Sequence, residues 1–395
     1  MPTPILGLRG TGEFNQDFRP TNYRELFTLL EPNGTAPLNA LLAMATNEAT
    51  DDPKFNNFRD ELPDRTLTVD NETGYNATTT TLQMDAGSEV GYVLAGSIVV
   101  NSRTGEVMHA TADGNTVAKT ITVTRNIGGT SHTINDGDQL FVAGFAAKEG
   151  SSAPNAISFD AVVDYNYTQI FKTPFKVSGT LDNTRLRTGN KYDEAMTKAL
   201  KLHMSDIERA FFWSIRNEVN GSTSEPLRFT GGLMNLLQNQ TIDVSTFDTP
   251  NDMTEDQFDR LLIDTIFAYG SAEKLAFVGA TVAGHLQKFG KNRWQPTQVQ
   301  GTYGVNVTRY QTFAGDLMVH LHPQFRQVPG MDSAMVILDL PHVKYRYLQN
   351  RDTHLQENIQ ANDEDAKKSQ YLTECGLELT QSKVHAVIKN WKTVS

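Results

Sequence analysis

The sequence predicts an α+β protein with more than one packed unit, and three observations carry that prediction. Apolar residues recur in steps of three and four from Tyr192 to Glu218, the spacing of one helical face. Short strand-like runs divided by turn clusters fill Gly87 to about Gly150, the pattern of a small antiparallel β unit. From Met253 onward helical and strand-like stretches alternate, as in an α/β unit. At 395 residues the chain exceeds what one small core organises.

The first twenty residues mix Gly, Pro, Asn and charges around isolated Phe14 and Phe18, which suits an extended arm lying on some other surface. A short helix is predicted from Thr21. Thr21 or Asn22 can cap it, Tyr23, Leu26, Leu29 and Leu30 keep helical spacing, and Pro32 and Gly34 stop it. PLNALLAM gives a second apolar helical stretch. After the polar residues 47–64, Leu67 and Val69 alternate with threonines as a strand would.

The β unit contains YVLAGSIVV, GEVMHAT, KTITVTR and QLFVAG, separated by SRTG, DGN, NIGG and NDGD. Within it TRNIGGTSHT sets Arg125 beside two glycines and several hydroxyls, as a phosphate-binding loop does. A P-loop needs Lys followed by Ser or Thr after its last glycine and then opens a helix; here Thr130, Ser131 and His132 follow, then more strand. The turn reading wins. Asn126, Gly128 and Gly129 lie where a strand must reverse, and glycine supplies the positive φ of such a bend.

Ile157 to Leu181 is rich in β-branched and aromatic residues and reads as long extended structure. In the helix that follows, Met196, Leu200, Met204, Ile207, Phe211 and Ile215 form one stripe, with Asp193 and Glu194 at its positive start and Asn220–Gly221 past its end. Beyond it, MTEDQFDRLLIDTIFAYG and TVAGHLQKFG read as helices. KLAFVGA, YQTFAGDLMVHLHPQF and SAMVILDLPHVKYRYL read as strands. YLTECGLELTQ and KVHAVIKNW suggest a closing hairpin.

Composition excludes several function classes. The apolar share of 38% and charged share of 21% belong to a folded chain. No apolar run nears the ~18 residues of a membrane span, and the opening residues lack a secretory pattern. Neither a membrane partner nor export is expected. One cysteine, Cys375, allows no internal disulfide and no thiolate metal cluster. A net charge of −11 argues against gripping nucleic acid through its phosphates.

Candidate chemistry is sparse. His320 and His322 share a strand face but lack a nearby third ligand, so both read as ordinary strand residues, and His203 as bordering the helix stripe. NDED, residues 362–365, lacks the alternating ligands and central glycine of a calcium loop. G-x-S-x-G, H-E-x-x-H and G-x-G-x-x-G are absent. No catalytic residue, cofactor or metal is assigned. Extended ribbons, however, leave backbone and apolar groups that neighbouring copies could cover.

The order of arm, extended β loop, long helix, α/β unit and returning β segment resembles tailed-bacteriophage major capsid proteins of the Hong Kong 97 type. NSRTGEVMHA, TITVTRNIGGT, DGDQLFVAG and KEGSSAP resemble a subgroup with a small β domain inserted in the extended loop. FKTPFKVSGT, RFTGGL and YLTECGLELTQSKVHAVIKNW extend the likeness from about Pro37 to Trp391. The resemblance implies a Hong Kong 97-like fold. Residues 1–60 would be the N-terminal arm, 65–181 the extended loop with an insert at about 87–150, and 182–229 a peripheral domain with spine helix 192–218. Residues 230–347 would be the axial domain and 348–395 a return to the peripheral domain.

The implied function is a self-assembling icosahedral head shell around double-stranded DNA, located in the virion and assembled in the bacterial host cytoplasm. Partners would be many copies of the chain, as pentamers and hexamers, with a separate scaffolding protein, portal and decoration protein as further candidates. DNA contact would be non-specific. Phe14, Phe18, Phe171 and Phe175 are expected to gain burial only on assembly. Lys172 and Lys176 lie in the loop, but no motif marks either for a crosslink. Alternatives are an encapsulin-like nanocompartment shell, a soluble hydrolase built from dispersed acids and histidines, and a tail-tube or adhesin subunit.

Overall fold

The computed structural model describes residues 36–44, 47–61, 65–158, 160–184, 190–220, 225–247, 252–290, 298–299 and 307–391. The expected helix from Thr21 and the arm residues Phe14 and Phe18 lie outside the described residues. The chain divides into two compact units, Arg59–Val162 and the segments before and after it.

The smaller unit is a six-stranded antiparallel sheet in the order Thr66–Thr68, Gln139–Phe145, Ser97–Asn101, Val107–Ala110, Thr120–Thr124, Thr81–Gln83. Its first and last strands meet. Val69 bridges Met84, with Asp70 N donating to Gln83 O at 3.1 Å and Asp85 N to Thr68 O at 2.9 Å. The sheet therefore closes on itself as a small barrel, which removes both open edges. Period-two alternation sends Leu67, Val69, Leu82, Met84, Val99, Met108, Ile121, Val123 and Leu140 into one interior. This unit is larger than the expected insert of 87–150, because two three-residue strands before Gly87 complete it.

The larger unit holds two main sheets. In the first, Ala366–Leu379 pairs along one side with Gln169–Ser178 over ten residues and along the other with Val343–Leu348 and His354–Gln356. Asn47–Thr50 adds in parallel to Val343–Leu348. The second runs Thr241–Asp243, Ala386–Lys389, Met335–Leu338, Glu273–Val278, Asp316–Leu321, Val307–Gln311, Gln298–Val299. The two C-terminal strands belong to different sheets, so the expected closing hairpin does not form. Gln381 at φ 58° and the short turn Ser382–Val384 redirect the chain between them.

The long helix spans Lys191–Trp213, with Asn190 Oδ1 accepting from Tyr192 N. It stops short of the expected Glu218. Arg216 instead donates to Asp164 Oδ1 at 2.9 Å and Tyr165 O at 2.6 Å, and Asn217–Val219 pairs with Leu227–Phe229. Ile215, the last residue of the expected stripe, is exposed. Gly232 seals this end: a Cβ there would lie 2.7 Å from Ala210 O and 2.8 Å from Phe212 C.

Ile207, Phe211 and Phe212 on the helix join Leu275, Phe277, Val336 and Leu338 of the seven-stranded sheet to Tyr345, Cys375 and Leu377 of the five-stranded one. The other face of the seven-stranded sheet, Ala276, Val278, Met335 and Ile337, packs on Phe258, Leu262, Val282 and Leu286. Those come from the helices Glu255–Leu261 and Ala280–Gly290 and the π-helical turn Leu262–Ile266. A sheet covered on both faces explains why MVIL is apolar without alternation.

Candidate subunit-contact surfaces

Phe171 and Phe175 do not await a partner. Each is only 8% exposed, Phe171 in the core under the long helix and Phe175 against Tyr192 and Tyr371. The cause is the strand Ala366–Leu379 and the helix above it, which cover Gln169–Ser178 within the same chain. Outward on that strand stands Ile170, half exposed.

Apolar surface is left elsewhere. Lys54–Arg59 and Val162–Tyr167 form a two-stranded ribbon on which Phe58 is 74% exposed and Val162 and Val163 are more than half exposed. Phe313, on the turn before Asp316–Leu321, is fully exposed. Sequence reasoning missed both. KFNNFR does carry the alternation that separates Phe58 from buried Phe55, and QTFAGD the turn glycine that puts Phe313 at a tip.

The glycine pair of the smaller unit is turn chemistry. Asn126 has φ 61° and Gly128 φ 78°, and Asn126 Oδ1 accepts from Gly129 N at 3.1 Å. Arg125 has no donor left for a phosphate. Its five N–H groups go to both carboxylate oxygens of Glu106, at 2.7 and 2.6 Å, and to the carbonyls of Asn76, Thr79 and His132. Burial pulls the Glu106 carboxyl up, but the Arg125 guanidinium and the His132 N–H outweigh it, so the group rests below its ordinary value. Nearby, Arg103 and Asn101 hold Asp138 and lower its pKa to about 2.

Buried histidines bind the larger unit together. His203 is wholly buried, Nδ1 2.9 Å from Thr173 Oγ1 and Nε2 2.7 Å from Thr373 Oγ1, so it fastens the helix to two strands. Burial lowers its pKa to about 4. His322 Nε2 lies 2.9 Å from Glu208 Oε1, which also accepts from Leu38 N. His320 and His322 both pack on Phe277. His385 Nδ1 accepts from Asp339 N at 3.1 Å, and burial lowers its pKa to about 3. Burial raises the pKa of Cys375, which keeps it a thiol. Among the described residues no three side chains of metal-ligating type come together. These polar groups are spent on holding strands, helix and turns in place.

The chain matches the family model of the SU10 major capsid protein over residues 9–392. It is 25% identical over 345 residues to a major capsid protein of Pseudomonas phage PaMx41, covering 85% of this chain and 80% of that one. Among solved structures, the capsid of an empty GTA particle aligns with a TM-score of 0.47 and 9% identity over 95% of both chains. The SrpI encapsulin complex of Synechococcus elongatus PCC 7942 aligns with a TM-score of 0.44 and 13% identity over 60% of this chain and 79% of that one. Both scores lie below 0.5, so the assignment rests on the sequence match across almost the whole length. The chain belongs to the SU10 major capsid protein family.

Proposed function

We propose that this chain is the shell subunit of a tailed-bacteriophage head on the Hong Kong 97 plan, assembled in the host cytoplasm from pentamers and hexamers and working without catalytic turnover. The family match over residues 9–392 carries this reading. Residues 1–60 act as the arm, and Phe14 and Phe18 on it gain burial from a neighbour. The segment 65–181 acts as the extended loop bearing the closed β barrel. The long helix and the five-stranded sheet, to which Asn47–Thr50, Gln169–Ser178 and Val343–Leu348 contribute strands, take the peripheral role, and the seven-stranded sheet with its covering helices takes the axial one. Scaffolding, portal and decoration proteins are separate partners.

Charge supports the same reading. Arg59–Val162 holds six basic against thirteen acidic residues, a net −7 of the chain's −11. Such a surface repels a DNA duplex, so packaged DNA is enclosed and touched only non-specifically. Size-exclusion chromatography with light scattering tests the proposal on the purified chain. Capsomers or closed shells are expected; a stable monomer, with or without substrate turnover, contradicts it.

A further inference from the structure

Leu38 and Leu42 sink one face of the helix Pro37–Met44 into the core of the larger unit, and Leu38 N donates to the buried Glu208 Oε1 at 2.9 Å. Ala36 O accepts from Ala40 N at 3.0 Å, so the chain enters this helix from a fixed point. Beside that point lies a cavity of about 330 Å³, whose lining includes Ala36, Ala40, Met204, Tyr345, Asp352 and Thr353. Tyr345 is a core residue and Met204 packs against the same core, so the cavity opens onto apolar surface.

The residues just before Ala36 carry a face that fits it. Tyr23, Leu26, Leu29 and Leu30 keep helical spacing within residues 21–30, and ten residues are too few for a helix to hold without a surface. Only residues 31–35 separate Leu30 from Ala36, a distance of at most about 21 Å even in a fully extended chain. A five-residue connection with Pro32 and Gly34 in it also falls within the loop lengths that join two antiparallel helices. So short a tether holds the stripe beside the cavity at an effective concentration on the order of millimolar, an advantage that the same segment of another copy lacks.

We propose that residues 21–30 dock as a helix on this cavity of their own chain, with Tyr23, Leu26 and Leu30 covering Met204 and Tyr345. The segment and Pro37–Met44 then form a helical hairpin, and the arm ahead of Thr21 starts from an anchored root. This contact lies within one chain and stands apart from the shell reading.

Trypsin cleavage after Arg24 in the full chain tests it, with Leu26→Asp on the segment and Ala40→Trp filling the cavity from an exposed position. Each variant is expected to be cut about tenfold faster than the wild type or more, the effect of uncovering one leucine. The double variant is cut no faster than the quicker single one, because both remove the same contact. A second measurement identifies the occupant. Leu30→Cys with Thr353→Cys, bridged by a short bismaleimide, should link within one chain, while Cys375, buried as a thiol, stays unlinked. Wild-type-like cleavage of either variant, or no link within one chain, overturns the docking. A link between two chains gives the cavity to a neighbour's segment, which overturns it as well and leaves the shell reading standing.

Discussion

The two units hold their buried polar groups differently, although the larger one has ion pairs of its own in Arg346–Glu378 and Arg351–Glu374. The barrel keeps its groups ionised, Arg125 with Glu106 and Arg103 with Asp138, and both arginines also hold loop carbonyls of Asn76, Thr79, His132 and Thr133. The larger unit buries His203 and His385 neutral, between strands that already pack well. Loops need directional, charge-assisted bonds to hold one shape, whereas packed strands tolerate an imidazole that simply satisfies hydroxyls or an amide. The two units should therefore fail by different chemistry.

The largest expected effect attacks the packed side. Phe211→Asp places a carboxylate among Tyr345, Ile207 and Leu377 and is expected to abolish soluble chain; wild-type yield would refute the helix–sheet core. Arg125→Met attacks the ionic side and strands the buried Glu106, at a cost of about 3–5 kcal/mol. The three tryptophans lie outside 59–162, so proteolysis within the barrel should rise while the tryptophan-fluorescence unfolding midpoint stays fixed. A shifted fluorescence midpoint would show that the units are not separate.

Acid sharpens the contrast. His203 has a folded pKa of about 4 against an ordinary 6.5, so the unfolded chain binds more protons between those values. Stability of the larger unit is then full above pH 6.5 and declines as pH falls toward 4, by on the order of 3 kcal/mol from this residue. His203→Gln should flatten that decline in a melting series, and an unchanged slope would remove His203 as its cause. Asp138, lowered to about 2, supports the barrel until pH drops below its ordinary 3.8. The smallest effect separates two neighbouring glycines. Gly128→Ala should cost about 1 kcal/mol because φ is 78°, while Gly129→Ala, with no positive φ and open space around it, should be nearly silent in the barrel's unfolding midpoint.

The contrast also marks what a sequence makes legible. The long helix declares itself through Ile207 and Phe211 at a step of four, and the β unit through alternation and turn glycines. Its closure by Thr66–Thr68 and Thr81–Gln83 does not show, because three residues are too few for a period of two and the Val69–Met84 bridge is a tertiary event. Ile215 prolongs the helical spacing, but the stop comes from Arg216 reaching Asp164, distant in sequence. Phe171 and Phe175 read as exposed ribbon until a strand some two hundred residues later covers them. The exposed apolar residues suffer most: exposure at Phe58 and Phe313 depends on which neighbours fail to arrive, and no local pattern records that.

Electron cryomicroscopy of particles formed by the full chain tests the central claim, that identical copies complete one another into a closed container. The account predicts icosahedral particles built from fivefold and sixfold rings. A dispersed population of single subunits, or open tubes that never close, would contradict it.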